Sequence, residues 1–155
     1  MIDDRPTAPL VIRQATPEDI PLIEMLDSFS ISPLRDIHRE VEKYFGSVDP
    51  STHERTLIFL AEVNGFTAGK AELMLPPAYT SYAVGYIKRV VVHPDFRSQG
   101  LAHHLMQHII SFARTQQGIE SLDLHVWENN IAAIRLYESL GFELKHRELY
   151  YRLPL

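Results

Sequence analysis

The feature that most constrains the fold is an amphipathic helix that directly follows an apolar strand. Between Gly100 and Gln116, apolar side chains recur every 3.6 residues and polar ones occupy the opposite arc. The apolar arc consists of Leu101, Ala102, Leu105, Met106, Ile109, Phe112 and Ala113. Because such a helix must bury one face, and because a strand over 84–92 precedes it, the pattern predicts a helix packed on a sheet.

The remaining predicted elements place this unit in a mixed sheet. Asn64-Gly65 separates the strand Thr56–Val63 from a return strand that ends near Leu75, and both turn residues tolerate a positive φ. The other predicted elements are a strand at Leu10–Arg13, helices from Thr16 and over Leu34–Tyr44, a strand at Leu122–Val126, a helix over Asn130–Leu140 and a final strand over Phe142–Arg152. The order is β-α-α-β-β-β-α-β-α-β. It predicts a sheet that is antiparallel early and crosses over through helices later.

Composition restricts both the size and the chemistry of the protein. Its 155 residues predict a single domain over residues 10–155, behind a loose lead-in at 1–9. The absence of cysteine excludes disulfides, thiolate metal ligands and a cysteine nucleophile. The formal net charge of −5 disfavours non-specific nucleic-acid binding, which needs a basic surface, and mildly favours cationic partners such as amines.

Targeting signals are not recognisable in the sequence. The N-terminus lacks the basic segment and apolar run of a secretory signal. No stretch approaches the roughly 20 consecutive apolar residues that a membrane-spanning helix needs. The sequence therefore predicts a cytoplasmic protein that has neither a membrane nor a nucleic acid as its partner.

The segment Val90–Ala102 has the pattern of an anion-binding turn. An apolar strand runs into a proline-containing turn, and Gly100 begins the helix. Successive N–H groups at a helix start attract anions, and a glycine there lets a phosphate approach the backbone closely. Arg97 can add charge-assisted hydrogen bonds. Since many helices begin after a glycine, the pattern taken alone is equally consistent with a plain helix start.

Two motifs together resemble those of the GCN5-related N-acetyltransferase (GNAT) family. The residues Arg97–Ala102 are similar to its acetyl-CoA motif, Q/R-x-x-G-x-G/A, with Ala102 where glycine is frequent. The more specific motif, N-x-x-A-x-x-L-Y-x-x-x-G-F, is matched by Asn130, Ala133, Leu136, Tyr137, Gly141 and Phe142. The resemblance covers most of residues 10–150. It implies an α+β fold of the GNAT type, a twisted mixed sheet flanked by helices on both faces.

The resemblance also implies which residues bind acetyl-CoA. In the family, backbone amides of the turn hold the pyrophosphate, and the strand before it holds the pantetheine and polarises the acetyl carbonyl through its backbone. The corresponding residues here are Val90, Val91 and Val92 on the strand, and Arg97, Ser98, Gln99, Gly100, Leu101 and Ala102 in the turn. Asn130 of the second motif is assigned to the cofactor site as well.

Tyr137 has two interpretations. It shares an apolar helical arc with Ala133, Leu136 and Leu140, so its ring is expected to be buried and its hydroxyl to need a partner. On residue pattern alone, that partner is a backbone carbonyl in the core. The resemblance instead implies that the hydroxyl faces the CoA sulfur and protonates the departing thiolate as a general acid.

The general base is where the sequence departs from the family pattern. The family often has a glutamate on the reacting strand, at positions held here by Tyr86 or Lys88. The candidates on neighbouring segments are Glu72, His125 and Glu128. Lys88 and Arg89 have two equally supported interpretations. They bind a carboxylate of the acceptor, or they are solvated charges near a strand end.

The resemblance thus implies an N-acetyltransferase. It would move an acetyl group from acetyl-CoA to the primary amine of a small molecule or peptide, by direct transfer in a ternary complex and without a metal. The segment Ser28–Ser51 is expected to shape the acceptor pocket.

The alternative function is a catalytically weak acyl-CoA-binding module. A P-loop nucleotide-binding site is disfavoured because no Lys-Ser/Thr follows Gly100. His104 and His108 have a zinc-compatible spacing without an evident third ligand, and a homodimer is left open.

Overall fold

The computed structural model describes residues 9–78, 80, 81 and 83–155. The predicted lead-in falls on residues 1–9, of which 1–8 lie outside this description. The chain divides into two compact units, Met1–His125 and Val126–Leu155, and each is considered separately. Whether the two fold as the single domain expected over 10–155 stays a prediction.

The first unit is built on a five-stranded mixed sheet in the order β1-β2-β3-β4-β5. The strands are β1 (Leu10–Gln14), β2 (Arg55–Val63), β3 (Phe66–Leu75), β4 (Val84–Val92) and β5 (Ser121–Asp123). The first three pairings are antiparallel and the β4–β5 pairing is parallel. The predicted hairpin is confirmed, because Asn64 and Gly65 turn between β2 and β3 with φ of 52° and 79°.

The helices of this unit are α1 (Ile20–Asp27) and α2 (Leu101–Thr115). The helix predicted from Thr16 begins as a 3-10 turn, Pro17–Asp19, which leads into α1 at Ile20, and the Thr16 N–H donates to Asp19 Oδ2 at 2.8 Å. The helix predicted over 34–44 is instead a 3-10 segment, Ile37–Lys43, that leaves helical geometry at Glu40. A segment this short is marginal as an isolated helix, so its tertiary contacts decide its backbone conformation.

The two helices pack on opposite faces of the sheet, as the GNAT resemblance implied. Ile58 and Leu60 of β2 belong to the same buried cluster as Ile23 and Leu26 of α1. Phe59, which lies between them, contacts Phe112 of α2 with ring centroids 5.2 Å apart. Because successive strand residues point to opposite faces, this alternation assigns α1 to one face and α2 to the other.

The second unit contains one helix, α3 (Ile131–Ser139), which agrees with the prediction to within a residue at each end. Asn130 caps it by accepting a hydrogen bond from the Ala133 N–H at 3.2 Å. Gly141 ends it with φ of 97°. The final strand predicted over Phe142–Arg152 is wrong, because these residues form no strand. A strand requires a hydrogen-bonded neighbour, and this unit by itself offers none.

The helices are too short to reach across a bilayer. The helix α2 has 15 residues and is two-faced rather than uniformly apolar. Within the part of the chain that the structure describes, no helix combines the length and the apolar character that crossing a membrane requires.

Candidate active site

The reacting strand β4 is paired with β5 over only part of its length. The parallel pairing runs from Val84, opposite Ser121, to Tyr86, opposite Asp123. Beyond Tyr86, β4 continues to Val92 without a partner from β5. Residues 87–92 therefore have no strand partner on this side within the first unit, although the Val92 carbonyl accepts a hydrogen bond from Arg97 Nε at 3.3 Å. The predicted cofactor-binding residues Val90, Val91 and Val92 lie on this open stretch.

A β-bulge in β4 lies at the start of the open stretch. Lys70 and Glu72 of β3 are opposite Val91 and Lys88, so three residue steps on β4 match two on β3. Within the bulge, Arg89 adopts a left-handed φ of 51°, which is uncommon for a side chain of this type. A bulge bends its strand and increases the local twist. This geometry gives a physical reason for the separation of β4 from β5.

The open strand runs into the predicted phosphate turn. A 3-10 turn, Pro94–Phe96, is followed by Ser98 with φ of 64° and by Gly100 with φ of 76°, which caps α2. The first N–H groups of α2 have no intrahelical acceptors, and residues 97–100 are exposed. The structure therefore brings Arg97, Ser98, Gln99 and Gly100 together at a helix N-terminus, where backbone dipoles favour an anion. Leu101 is buried and Ala102 half-buried.

Gly100 and Gly69 differ in what surrounds them. A Cβ on Gly100 would meet nothing within 4 Å, so its surroundings allow a bound group to approach the backbone closely. A Cβ on Gly69 would lie 3.1 Å from the Val91 carbonyl oxygen and 3.2 Å from the Leu101 side chain. Gly69 therefore allows α2 to pack closely on the sheet, while the missing side chain of Gly100 leaves open space.

An aromatic cluster beneath the turn was not anticipated from the sequence. The His93 ring lies edge-on to Phe29 at 4.8 Å and to Phe66 at 5.3 Å, and Phe66 stacks on Phe96 at 5.1 Å. His93 Nδ1 also accepts a hydrogen bond from the Asp95 N–H at 3.1 Å. Because these rings come from the end of α1, β3 and the turn, they fix the direction in which the chain leaves β4. No local pattern in the sequence indicated this cluster, because Phe29 and Phe66 lie far from His93 in the chain.

The α1 face of the sheet contains a buried charge cluster, formed by Asp27, Arg35, Lys70 and Glu72. The Arg35 guanidinium group donates from Nη1 to Glu72 Oε1 at 2.7 Å and from Nη2 to Glu72 Oε2 at 2.5 Å. Lys70 Nζ also donates to Glu72 Oε2, at 2.6 Å. Lys70 Nζ also lies 2.7 Å from Asp27 Oδ1. Lys70 and Glu72 are fully buried. The available signal was a K-x-E pair, two residues apart, inside an apolar strand.

This cluster removes Glu72 from the candidates for a substrate-facing base. Burial alone would raise the pKa of the Glu72 carboxyl, but the hydrogen bonds and charges of Arg35 and Lys70 hold it below its ordinary value. The carboxylate is thus ionised, fully paired and inaccessible. Arg35 also stacks over the Tyr44 ring at 4.7 Å, so the cluster anchors the segment expected to shape the acceptor pocket.

His125 has a more accessible position. Its Nδ1 is hydrogen-bonded to the Tyr86 hydroxyl, at the residue where the pairing of β4 with β5 ends. His125 is exposed and Tyr86 half-buried. The third candidate, Glu128, belongs to the second unit, where its carboxylate lies 3.4 Å from Arg147 Nε.

In the second unit, Tyr137 is half-buried and its ring lies 6.0 Å from that of Phe142. Burial raises the pKa of its hydroxyl. Within the second unit, no residue hydrogen-bonds to that hydroxyl, so this unit gives no support to the core interpretation with a carbonyl partner. Asn130 uses its side-chain oxygen to cap α3. The contacts of Tyr137 and Asn130 with a cofactor stay predictions.

Comparison with known sequences identifies relatives of this chain. A [ribosomal protein bS18]-alanine N-acetyltransferase of Salmonella typhimurium is 46% identical over 63 residues, 40% of this chain and 42% of that protein. A glucosamine 6-phosphate N-acetyltransferase of Trypanosoma brucei brucei is 32% identical over 96 residues, 61% of this chain and 63% of that protein. The matched regions thus span less than two thirds of either relative.

Comparison with solved structures and family profiles gives the family. The aminoglycoside N-acetyltransferase AAC(6')-Iy, solved in complex with CoA, shares the fold with a TM-score of 0.74 at 19% identity, covering 99% of this chain and 100% of that one. The profile of the Acetyltransferase (GNAT) family matches residues 22–142, which include β4, the phosphate turn and the second motif. The chain therefore belongs to the GNAT acetyltransferase family, as its two motifs indicated.

Proposed function

We propose that this protein is an acetyl-CoA-dependent N-acetyltransferase that moves the acetyl group to a primary amine. The observation that carries the proposal is the open edge of β4, which leads into exposed N–H groups at the start of α2. The two relatives named above are N-acetyltransferases, and the structural neighbour was solved with CoA. These support the same assignment.

In this proposal, acetyl-CoA binds mainly through the backbone. The N–H groups of residues 98–102 hold the pyrophosphate, and Arg97 adds a charge-assisted contact. The pantetheine extends along Val90, Val91 and Val92, whose backbone groups on the open edge hydrogen-bond to its amides, although the Val92 carbonyl also accepts from Arg97 Nε at 3.3 Å. A backbone N–H of this edge polarises the acetyl carbonyl and stabilises the oxyanion that develops there. Asn130 contributes from the second motif.

The chemical step is direct attack by the acceptor. The lone pair of a neutral amine forms a bond to the thioester carbonyl carbon, and the carbonyl electrons move to oxygen. The tetrahedral intermediate then collapses, the carbon–sulfur bond breaks and the thiolate leaves. Tyr137 donates a proton to the sulfur, and a base takes a proton from the nitrogen. No cysteine is available for an acyl-enzyme intermediate, which favours a ternary complex.

We assign the base to the Tyr86–His125 pair. Both residues belong to the first unit, are hydrogen-bonded to each other and lie where β4 and β5 separate. His125→Gln should lower kcat for amine acetylation by about 10²-fold or more, the ordinary contribution of a positioned base, without weakening acetyl-CoA binding. An unchanged kcat would exclude His125 from proton transfer.

The proposed acceptor is the amine of a small molecule or a peptide. The relatives' names span both classes, a ribosomal-protein alanine and an amino sugar phosphate. We propose the cytoplasm as the location and no nucleic-acid partner, and a homodimer stays open. Cell fractionation and light scattering on the purified protein test the location and the oligomeric state.

The activity is tested by measuring binding and turnover on the same preparation. Acetyl-CoA at about 100 times its Kd should stabilise the fold by about 2.7 kcal/mol, and free thiol should appear only when an amine is added. Binding without turnover of any amine would instead indicate the acyl-CoA-binding module. Absence of binding at millimolar acetyl-CoA would contradict both functions.

A further inference from the structure

The α1 face of β4 presents a half-buried lysine that has no counter-ion. Lys88 is opposite Glu72 in the β3–β4 register, so the two side chains share a face of the sheet. Its Nζ lies 4.0 Å from Met74 Sδ, which shows that the stem packs along β3. Among residues 9–78, 80, 81 and 83–155, no carboxylate lies within ion-pairing distance of this ammonium group.

Two of the nearby carboxylates, those of Asp27 and Glu72, are already neutralised. Glu72 accepts from both Arg35 and Lys70, and Asp27 is paired with the same two cations. The charged groups around Lys88 and the buried cluster are the carboxylates of Asp27, Glu54 and Glu72 and the cations of Arg35, Lys70, Lys88 and Arg89. Four cations against three carboxylates leave a local positive surplus, although the whole chain has a net charge of −5.

The environment also makes the Lys88 charge unfavourable in the absence of an anion. Burial lowers the pKa of its ammonium group, and repulsion from Arg35 and Arg89 lowers it further, against attraction from Glu72 and Glu54. Arg89 differs, because its guanidinium Nη2 donates to the Pro33 carbonyl at 3.0 Å. An anion placed beside Lys88 would offset both the desolvation and the repulsion.

We propose that Lys88 binds an anionic group of the acceptor, a carboxylate or a phosphate, close to the amine that is acetylated. This inference rests on the proposed function and names the acceptor class. Tyr86 lies two residues earlier on the same face, so the Tyr86–His125 pair and Lys88 are separated by about 7 Å along the strand. An acceptor that spans them carries its amine and its anion only a few bonds apart, as amino acids and aminoalkyl phosphates do.

Matched acceptor pairs test the proposal through turnover. β-Alanine is compared with β-alaninamide, and phosphoethanolamine with ethanolamine, so that each pair differs mainly in the anion and the two pairs separate carboxylate from phosphate. We expect kcat/KM to be at least about tenfold higher for one anionic member than for its neutral counterpart. Lys88→Met should remove most of that ratio and Lys88→Arg should retain part of it. An unchanged ratio in Lys88→Met would overturn the proposal.

A binding experiment keeps the test independent of turnover. Acetate and inorganic phosphate are titrated into the protein, with and without CoA, while the backbone amides of residues 86–89 are followed by NMR. Lys88→Met should weaken the anion-dependent shifts at least about tenfold. Lys145→Met is the matched control, because that exposed lysine already pairs with Glu143 at 3.1 Å. If neither anion shifts these amides, the Lys88 proposal is wrong even where acetyl-CoA binds, whereas failure of acetyl-CoA to bind would contradict the proposed function itself.

Discussion

The two sides of strand β4 are constructed differently. The proposed cofactor side is the phosphate turn, residues 93–102, and the open edge of 87–92, where we propose that backbone N–H groups bind acetyl-CoA. The other side faces the buried charge cluster of Asp27, Arg35, Lys70 and Glu72. In this cluster, charged side chains from α1, from the segment that follows it and from β3 form ion pairs with one another. Lys70 Nζ also reaches the Arg89 carbonyl in the bulge, at 3.3 Å, which connects the two sides.

The difference predicts contrasting sensitivities to mutation. A backbone site tolerates many side chains but depends on φ angles and on space for the ligand. A buried ion cluster depends on each charged member, because removing one leaves another without a partner in a region that water cannot reach. Stability should therefore respond most to the cluster, and acetyl-CoA affinity most to the turn.

The largest expected effect is on the cluster. Glu72→Gln keeps the side-chain shape but removes the carboxylate that Arg35 and Lys70 share, so the free energy of unfolding at pH 7 should fall by about 3–5 kcal/mol. Urea denaturation measures it. The control is Glu40→Gln, which breaks an exposed pair with Lys43 and should leave the midpoint nearly unchanged. A loss below about 1 kcal/mol would show that the cluster is not a stabilising unit.

The same variant has a predictable pH dependence. Because the folded-state pKa of Glu72 is depressed below its ordinary value of 4.5, its contribution is fully present above that value. It is lost as the pH falls through the lower folded-state pKa. The stability difference between the parent and Glu72→Gln should therefore shrink in acid. A difference that stayed constant from about pH 7 to about pH 3 would contradict the assigned ionisation.

Tyr137→Phe should have the next largest effect, and it tests the proposal that a side chain of the second motif takes part in catalysis. We expect kcat to fall by about 10²-fold, the lower end for a general acid, because a thiolate is a fairly good leaving group unprotonated. Melting temperature and acetyl-CoA affinity should change little, since phenylalanine keeps the ring. Tyr151→Phe, at an exposed position, is the control. A loss of stability with unchanged kcat would make Tyr137 a core residue.

The smallest effect tests the turn. Gly100→Val should weaken acetyl-CoA binding by about tenfold or more, some 1.4 kcal/mol, because the new side chain projects where the phosphate approaches. Gly118→Val is the matched control: Gly118 also has a positive φ, of 84°, and a Cβ there would meet nothing within 4 Å, but it follows the other end of α2. Calorimetry and thermal melting separate the two variants. Similar acetyl-CoA affinity in both would contradict the phosphate-turn assignment.

Short-range patterns in the sequence predicted most elements of the fold. The Asn64-Gly65 hairpin, strand β4, the amphipathic α2 and the capped α3 all lie close to their predicted positions. Each depends on information within about ten residues: φ preferences at a turn, a helical repeat, or a capping residue. The phosphate turn belongs to this group, because its N–H groups and its glycine are neighbours in the chain.

Long-range contacts decided what the sequence did not predict. Asp27, Arg35 and Glu72 become partners only when α1, the following segment and β3 fold together, and no local pattern marks such a set. The bulge at Arg89 likewise depends on how β4 pairs with β3. The predicted strand at Phe142–Arg152 was wrong because the residues of a segment show only that it could join a sheet. Strand formation also requires a neighbour to accept and donate its backbone hydrogen bonds, and only the tertiary structure determines whether one is present.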